Sequence, residues 1–101
     1  MIWYLYSSAN NLIGIDEYIG LFEVGNDGYC ERYMEISSDG TALKYSQTHP
    51  SDKLGQLPEG NFSAIKSEIF DSRYGTTITI SKALFESFWL NFHCINFPRQ
   101  S

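Results

Sequence analysis

The side chains that could support catalysis are few, and most of them lie in polar segments. His49 and Asp52 are three residues apart, and Asp71 and Arg73 follow later in the chain. A histidine held by a carboxylate can act as a general base. The sequence contains no nucleophile elbow, no glycine-rich phosphate loop and no HExxH zinc helix. We therefore predict that the protein is not an enzyme, with a minor activity of His49 and Asp52 as a third-ranked alternative.

Metal and cofactor sites are not indicated either. The zinc-ligand types are His49, His93, Cys30 and Cys94, and no two of them have the close spacing of a zinc site. The acidic residues follow strand alternation and do not form the compact ligand loop of an EF-hand. We expect no metal and no cofactor, and we expect the two cysteines to be free thiols.

Acidic side chains are concentrated in one quarter of the chain. Residues 16–39 hold seven acidic side chains and one basic one, whereas the other 77 residues hold five and six. Such asymmetry creates a local field that attracts basic partners. Tyrosines are interleaved with these acids, and tyrosine is enriched at interface hot spots. The predicted partner-binding residues are Glu23, Asp27, Tyr29, Glu31, Tyr33, Glu35 and Asp39. The alternative is a solvated face that serves only solubility.

The elements that position these residues form a three-stranded meander. Asn26-Asp27-Gly28 and Ser37-Ser38-Asp39-Gly40 end in Asp-Gly, which is typical of tight hairpin turns because glycine adopts positive φ without cost. The strands are predicted at 18–24, 29–36 and 41–46, the first of them buried on both sides. Alternation in the middle strand places Cys30, Met34 and Ile36 on the core face, with Arg32 as an exception, and Tyr29, Glu31, Tyr33 and Glu35 on the solvent face.

The remaining segments complete an α+β fold. Strands are predicted at 2–7 and 76–80, and a long surface loop at 47–61. Residues 62–70 fit a short helix capped by Asn61, and residues 65–70 also fit a short edge strand. Ser81 is predicted to cap a C-terminal helix. Its apolar stripe is Leu84, Phe85, Phe88, Trp89 and Phe92, and its outer side carries Lys82, Glu86 and Asn91. We predict a mainly antiparallel sheet of about four to six strands packed by this helix.

Length and composition narrow the class of protein. The 101 residues predict a single domain, 1–101, with 43% apolar and 16% aromatic residues. The net charge is −5, which disfavours direct binding to nucleic acid or to an anionic membrane. The apolar start lacks a positive n-region and a cleavage site, and no run approaches 18 apolar residues. We therefore expect a cytoplasmic protein.

Two short patterns resemble a known group of proteins. The first runs through Tyr33-x-Glu35-Ile36, Asp39-Gly40 and Leu43-x-Tyr45, and the second through Ile80-Ser81-Lys82, Phe85-Glu86 and Trp89. Together they resemble small acidic immunity proteins of contact-dependent growth inhibition and related polymorphic toxin systems. The resemblance implies a protein that binds and neutralises a cognate toxin domain, of the kind that is often a nuclease with a basic cleft. The alternative is a small homodimeric or scaffold-type interaction domain; the free chain would be a monomer or a homodimer.

Overall fold

One antiparallel sheet organises the part of the chain that the structure describes. The structure is a computed structural model, and it describes residues 2–8, 18–37, 39–64 and 76–96. Its strands are β1 (Trp3–Ser8), β2 (Tyr18–Val24), β3 (Cys30–Ser37), β4 (Ala42–Ser46) and β5 (Thr76–Thr79), followed by the helix α1 (Lys82–Asn91). The strand order is β4-β3-β2-β1-β5. The predicted α+β class, with one antiparallel sheet and a C-terminal helix, is confirmed.

The sheet is buried on both faces. The loop-side core consists of Leu5, Val24, Cys30, Tyr33, Tyr45, Leu57 and Phe62. The helix-side core consists of Leu21, Met34, Ile36, Ala42, Phe85 and Cys94. Leu21 and Val24 of β2 are both fully buried and belong to opposite cores, as the apolar run of this strand predicted. The predicted surface loop therefore also contributes a side chain, Leu57, to the hydrophobic core.

A β-bulge corrects the predicted faces of β3. Val24 pairs with Cys30 and Glu23 pairs with Arg32, so that Glu31 is the extra residue on its strand. The extra residue reverses the alternation, and the prediction that Cys30 shares a face with Met34 is wrong. Cys30 lies in the loop-side core, where its thiol is free, and Cys94 is free in the helix-side core. The predicted free thiols thus lie on opposite faces of the sheet.

Arg32 lies between the sheet and α1, on the same face as the helix-side core. Its guanidinium donates to both carboxylate oxygens of Glu23, at 2.7 and 2.8 Å, and to Glu86. The charge also lies over the rings of Phe85 and Trp89, 4.9 and 5.0 Å from their centroids. Hydrogen bonding to Arg32 holds the pKa of Glu23 below its ordinary value. A charged residue can therefore occupy the core face of β3, because carboxylates and aromatic rings surround the Arg32 guanidinium.

The helix α1 begins as predicted but packs through a narrower stripe. Ser81 is the N-cap, and its hydroxyl accepts a hydrogen bond from the Leu84 N–H. Phe85 is buried, whereas Leu84 is 45% exposed, because adjacent helical residues point about 100° apart. Glu86, which was predicted on the outer side, instead reaches Arg32. In the described ranges no helix is long and apolar enough to cross a bilayer.

The segment after the helix covers the outer edge of β4, which is an edge strand of the sheet. Ile95 N–H donates to the Ala42 carbonyl at 3.1 Å, and Cys94 forms a parallel bridge with Ala42. The Asn96 side chain then accepts from Lys44 N–H at 2.8 Å and donates to the Lys44 carbonyl at 2.9 Å. An edge whose backbone groups are occupied does not template another strand. This segment also reaches the loop that follows β4.

Candidate protein-binding surface

Several hydrogen bonds close the β2–β3 turn, which lies within the acidic quarter of the chain. Gly28 N–H donates to the Gly25 carbonyl, and Gly25 N–H donates to the Tyr29 carbonyl, both at 2.9 Å. Gly28 has φ +89°, as the Asp-Gly pattern predicted. The Asp27 carboxylate accepts from Tyr29 N–H at 3.1 Å, two residues on. The turn is therefore closed by backbone and side-chain hydrogen bonds together.

A distant segment supports this turn from outside. Phe62 N–H donates to the Gly28 carbonyl at 2.7 Å, and the Asn61 side chain donates to the Asp27 carbonyl at 3.1 Å. Asn61 also accepts from Ser63 and Ala64 N–H, in the manner of the predicted N-cap. The rest of the predicted 62–70 helix falls outside the described residues. Because the Asn61 side chain forms hydrogen bonds with both the turn and the 61–64 segment, it fixes the turn relative to the loop-side core.

The supported turn presents an exposed aromatic ring and two carboxylates. Tyr29 is 48% exposed. A side chain built at Gly25 would meet Glu31 Oε1 at 2.8 Å and Asp27 Oδ1 at 3.3 Å, so both carboxylates approach the same point. Among the described residues, neither acid has an ion-pair partner. We call Asp27, Tyr29 and Glu31 the turn surface.

The other predicted partner-binding residues lie elsewhere. Glu23 is only 9% exposed, and its carboxylate is paired with Arg32. Tyr33, predicted on the solvent face, is 8% exposed in the loop-side core, because Leu57 and Phe62 cover that face of the sheet. Its hydroxyl donates to Glu35 at 2.7 Å. Asp39 lies in the β3–β4 turn, at the opposite end of β3, roughly 25 Å along the strand. The seven residues therefore do not form one continuous face.

His49 and Asp52, the candidate catalytic pair, are in contact through a 2.9 Å bond between His49 Nε2 and Asp52 Oδ2. The same carboxylate accepts from the Asn96 amide and the Tyr45 hydroxyl, at 2.9 and 2.8 Å. It also accepts from the N–H groups of Leu54 and Gly55. Hydrogen bonds, first from Asn96 and then from His49, hold the pKa of Asp52 well below its usual range.

This arrangement makes Asp52 the centre of the loop after β4. Tyr45 is 1% exposed, and burial, with Asp52 beside it, raises the pKa of its hydroxyl. The His49 ring stacks on Tyr45 with 5.9 Å between centroids. The geometry suits anchoring of the loop to β4 and to Asn96. Asp71 and Arg73 lie outside the described residues, and within those residues no three His, Cys, Asp or Glu side chains are grouped to hold a metal ion.

Asn61 and Asn96 were not singled out by the sequence for their tertiary contacts. Asn61 was considered only as a helix cap, and Asn96 lies after the apolar stripe of the predicted C-terminal helix. Each donates its side-chain amide to a backbone carbonyl more than 30 residues away. Hydrophobic periodicity cannot predict a hydrogen bond between distant segments. The sequence showed only that each asparagine is next to an apolar residue. No family model, curated protein or solved structure matches the chain.

Proposed function

We propose that this chain is a cytoplasmic, non-enzymatic protein-binding domain that neutralises a cognate toxin, in the manner of the immunity proteins that its hairpin and helix patterns resemble. The observation that carries the proposal is the turn surface, where exposed Tyr29 lies in the sequence between Asp27 and Glu31 and neither carboxylate has a cationic partner among the described residues. A basic nuclease acting on RNA is the toxin class that such a surface fits.

Preorganisation supports this surface as a binding element. Asp27 and Gly28 are tied to Asn61 and Phe62 by hydrogen bonds of 3.1 and 2.7 Å, so the turn has a fixed shape before any partner arrives. A rigid contact region loses less conformational entropy on binding than a loose loop does. Tyrosine adds large contact area with few rotatable bonds. The tertiary support therefore favours binding over mere solvation.

Electrostatics supports a basic partner. The interior acid Glu23 is already neutralised by Arg32, whereas Asp27 and Glu31 keep their charge available at the surface. A nuclease cleft is lined with cations that hold phosphates, and paired carboxylates can occupy the same positions. Charge of this kind accelerates association most strongly at low ionic strength.

The test is calorimetric titration of the full chain against the C-terminal domain of whatever large secreted protein a neighbouring gene encodes. The expected result is one-to-one binding in the nanomolar range, with restored growth of cells that express the domain. Glu31→Gln should weaken binding, and Asp39→Asn is the matched control at the other turn. A toxic domain that the folded chain neither binds nor neutralises would refute the proposal.

A second function, self-association as an interaction domain, is favoured by a different observation. Leu84, Leu90 and Ile95, on and just after α1, are 45%, 75% and 60% exposed. Packing these side chains against a second copy of the chain would remove their apolar surface from water. Sedimentation of the chain alone tests this function: a dimer that Leu90→Lys converts to a monomer supports it, and a monomer at all concentrations removes it.

A further inference from the structure

The loop after β4 forms an open groove next to the turn surface. The groove has a volume of about 430 Å³ and includes Tyr29, Pro50, Gln56, Leu57, Pro58 and Glu59 in its lining. Its size is within the roughly 300–1,000 Å³ of ordinary ligand pockets. The predicted surface loop thus has a concave side that no sequence pattern indicated.

The walls of the groove combine apolar surface with one charge. Tyr29, Pro50 and Pro58 supply aromatic and ring surface, and Leu57 is buried beneath them. Glu59 is exposed and is the only charged residue of the lining. Glu59 has no ion-pair partner among the described residues. An occupant therefore needs an apolar stem and a cationic end.

The groove is also held in shape from behind. Leu57 N–H donates to the Pro50 carbonyl at 2.7 Å, which closes the loop across the groove. Asp52 binds Tyr45, His49 and Asn96 on the far side of the same loop. Tyr29 belongs to the supported β2–β3 turn and forms a bridge with Asn61. Both walls are therefore fixed by hydrogen bonds before an occupant enters.

We propose that this groove binds an arginine side chain carried by an extended basic segment of a partner protein. The guanidinium plane can lie on the Tyr29 ring and donate to the Glu59 carboxylate, while the three-carbon stem lies against Pro50 or Pro58. Asp27 and Glu31, whose carboxylates approach each other near Gly25, flank Tyr29 in the sequence and add favourable charge outside the groove. That the arginine belongs to a toxin rests on the function proposed above, whereas the arginine site itself does not.

The experiment is an amide-resolved NMR titration of the full ¹⁵N-labelled chain with the peptide acetyl-Gly-Arg-Gly-amide. The matched peptide replaces arginine by citrulline, which keeps the shape and removes the charge. We expect saturable shifts centred on the amides of Tyr29, Gln56 and Glu59 with a Kd in the millimolar range. Citrulline should bind more weakly than the Glu59→Gln variant binds arginine, because a neutral head loses both the contact with Glu59 and the cation–π contact with Tyr29.

Two variants locate the effect. Glu59→Gln should weaken arginine-peptide binding by about two- to five-fold, the range expected of one exposed ion pair. Asp39→Asn removes one charge at the far turn and should leave the Kd unchanged. Absence of shifts, equal shifts with citrulline, or equal weakening by both variants would overturn the proposal, since each outcome denies a charge-specific site in the groove.

The outcome is independent of the toxin titration. If the chain neutralises the toxin but does not bind the arginine peptide, the proposed function is supported and the proposed arginine site is refuted. If the chain binds the peptide through Glu59 but neutralises no toxin, the arginine site is supported and the proposed function is refuted. The two proposals can therefore fail separately.

Discussion

The two hairpin turns of the β2–β3–β4 meander share one local construction and differ in their surroundings. In each, a glycine with φ +89° follows an aspartate whose carboxylate accepts a backbone N–H two residues on. In each, the glycine N–H donates at 2.9 Å to the carbonyl three residues before it. Asn61 and Ser63 lie against Gly28, whereas none of the described residues lies within 4 Å of a side chain built at Gly40.

The difference shows that local turn chemistry and tertiary role are separate properties. Asp-Gly closes both hairpins, because closure needs only an acceptor and a residue that tolerates positive φ. Among the described residues, only the β2–β3 turn is held by the 61–64 segment, and only this turn is followed by an exposed tyrosine. If binding depends on the supported turn, changes at the two turns should have unequal effects.

Alanine at the two glycines should give the largest contrast. Gly28→Ala combines left-handed backbone strain with a collision against Asn61 and Ser63, and should lower the free energy of unfolding by about 3 kcal/mol. Gly40→Ala carries the strain alone and should cost about 1 kcal/mol. Urea unfolding of both variants measures the difference. Equal losses would mean that the 61–64 segment does not support the turn.

Removal of the Asn61 side chain should loosen the first turn and leave the second intact. Asn61→Ala deletes hydrogen bonds to Asp27, Ser63 and Ala64, and we expect a loss of about 1–2 kcal/mol. Hydrogen exchange should accelerate at Gly28 and Phe62 but not at Gly40. Asn91→Ala is the control, because within the described part of the chain the exposed Asn91 side chain makes one hydrogen bond, to Ser87 at 3.4 Å. Faster exchange at both turns would contradict the assignment.

Acidification should release the loop that borders the first turn. The folded state lowers the pKa of Asp52, so its carboxylate stabilises the protein above its unfolded pKa of about 3.9 and loses this contribution as the pH falls. Glu23, whose pKa is also lowered, acts in the same direction. Asp52→Asn should therefore reduce stability at pH 6 and flatten the decline below about pH 4. An unchanged pH profile in the variant would exclude Asp52 as the anchor.

The smallest effects on stability should come from neutral, isosteric changes at the exposed acids. Glu31 makes no hydrogen bond to a side chain among the described residues, and Asp39→Asn keeps the oxygen that accepts from Thr41. We expect Glu31→Gln and Asp39→Asn to leave the urea midpoint unchanged within error. Destabilisation by Glu31→Gln would place that side chain in the fold and not on a free surface.

Short-range patterns predicted most of the fold. Period-two alternation, two Asp-Gly turns and the Ser81 cap gave the strand order along the chain and the start of α1, because each depends on neighbouring residues. The bulge at Glu31 was missed, since one extra residue leaves the composition of a strand unchanged. This single shift placed Cys30 in the loop-side core, whereas Tyr33 is buried because Leu57 and Phe62 cover the face that was predicted to meet solvent.

The candidate site was less predictable. The sequence located the acidic quarter but could not separate Glu23, which Arg32 neutralises, from Asp27 and Glu31, which have no described ion-pair partner. That separation depends on contacts between strands and on the distant Asn61. The groove arises from the folding of a loop onto β3 and has no local pattern at all.

The most direct test compares the association rates of Glu31→Gln and Asp39→Asn with the toxin domain at low ionic strength. Both variants remove one negative charge, and they differ only in which turn loses it. The account predicts that Glu31→Gln slows association several-fold while Asp39→Asn leaves it within error of the unchanged chain. Equal rates for the two variants would contradict the assignment of binding to the β2–β3 turn.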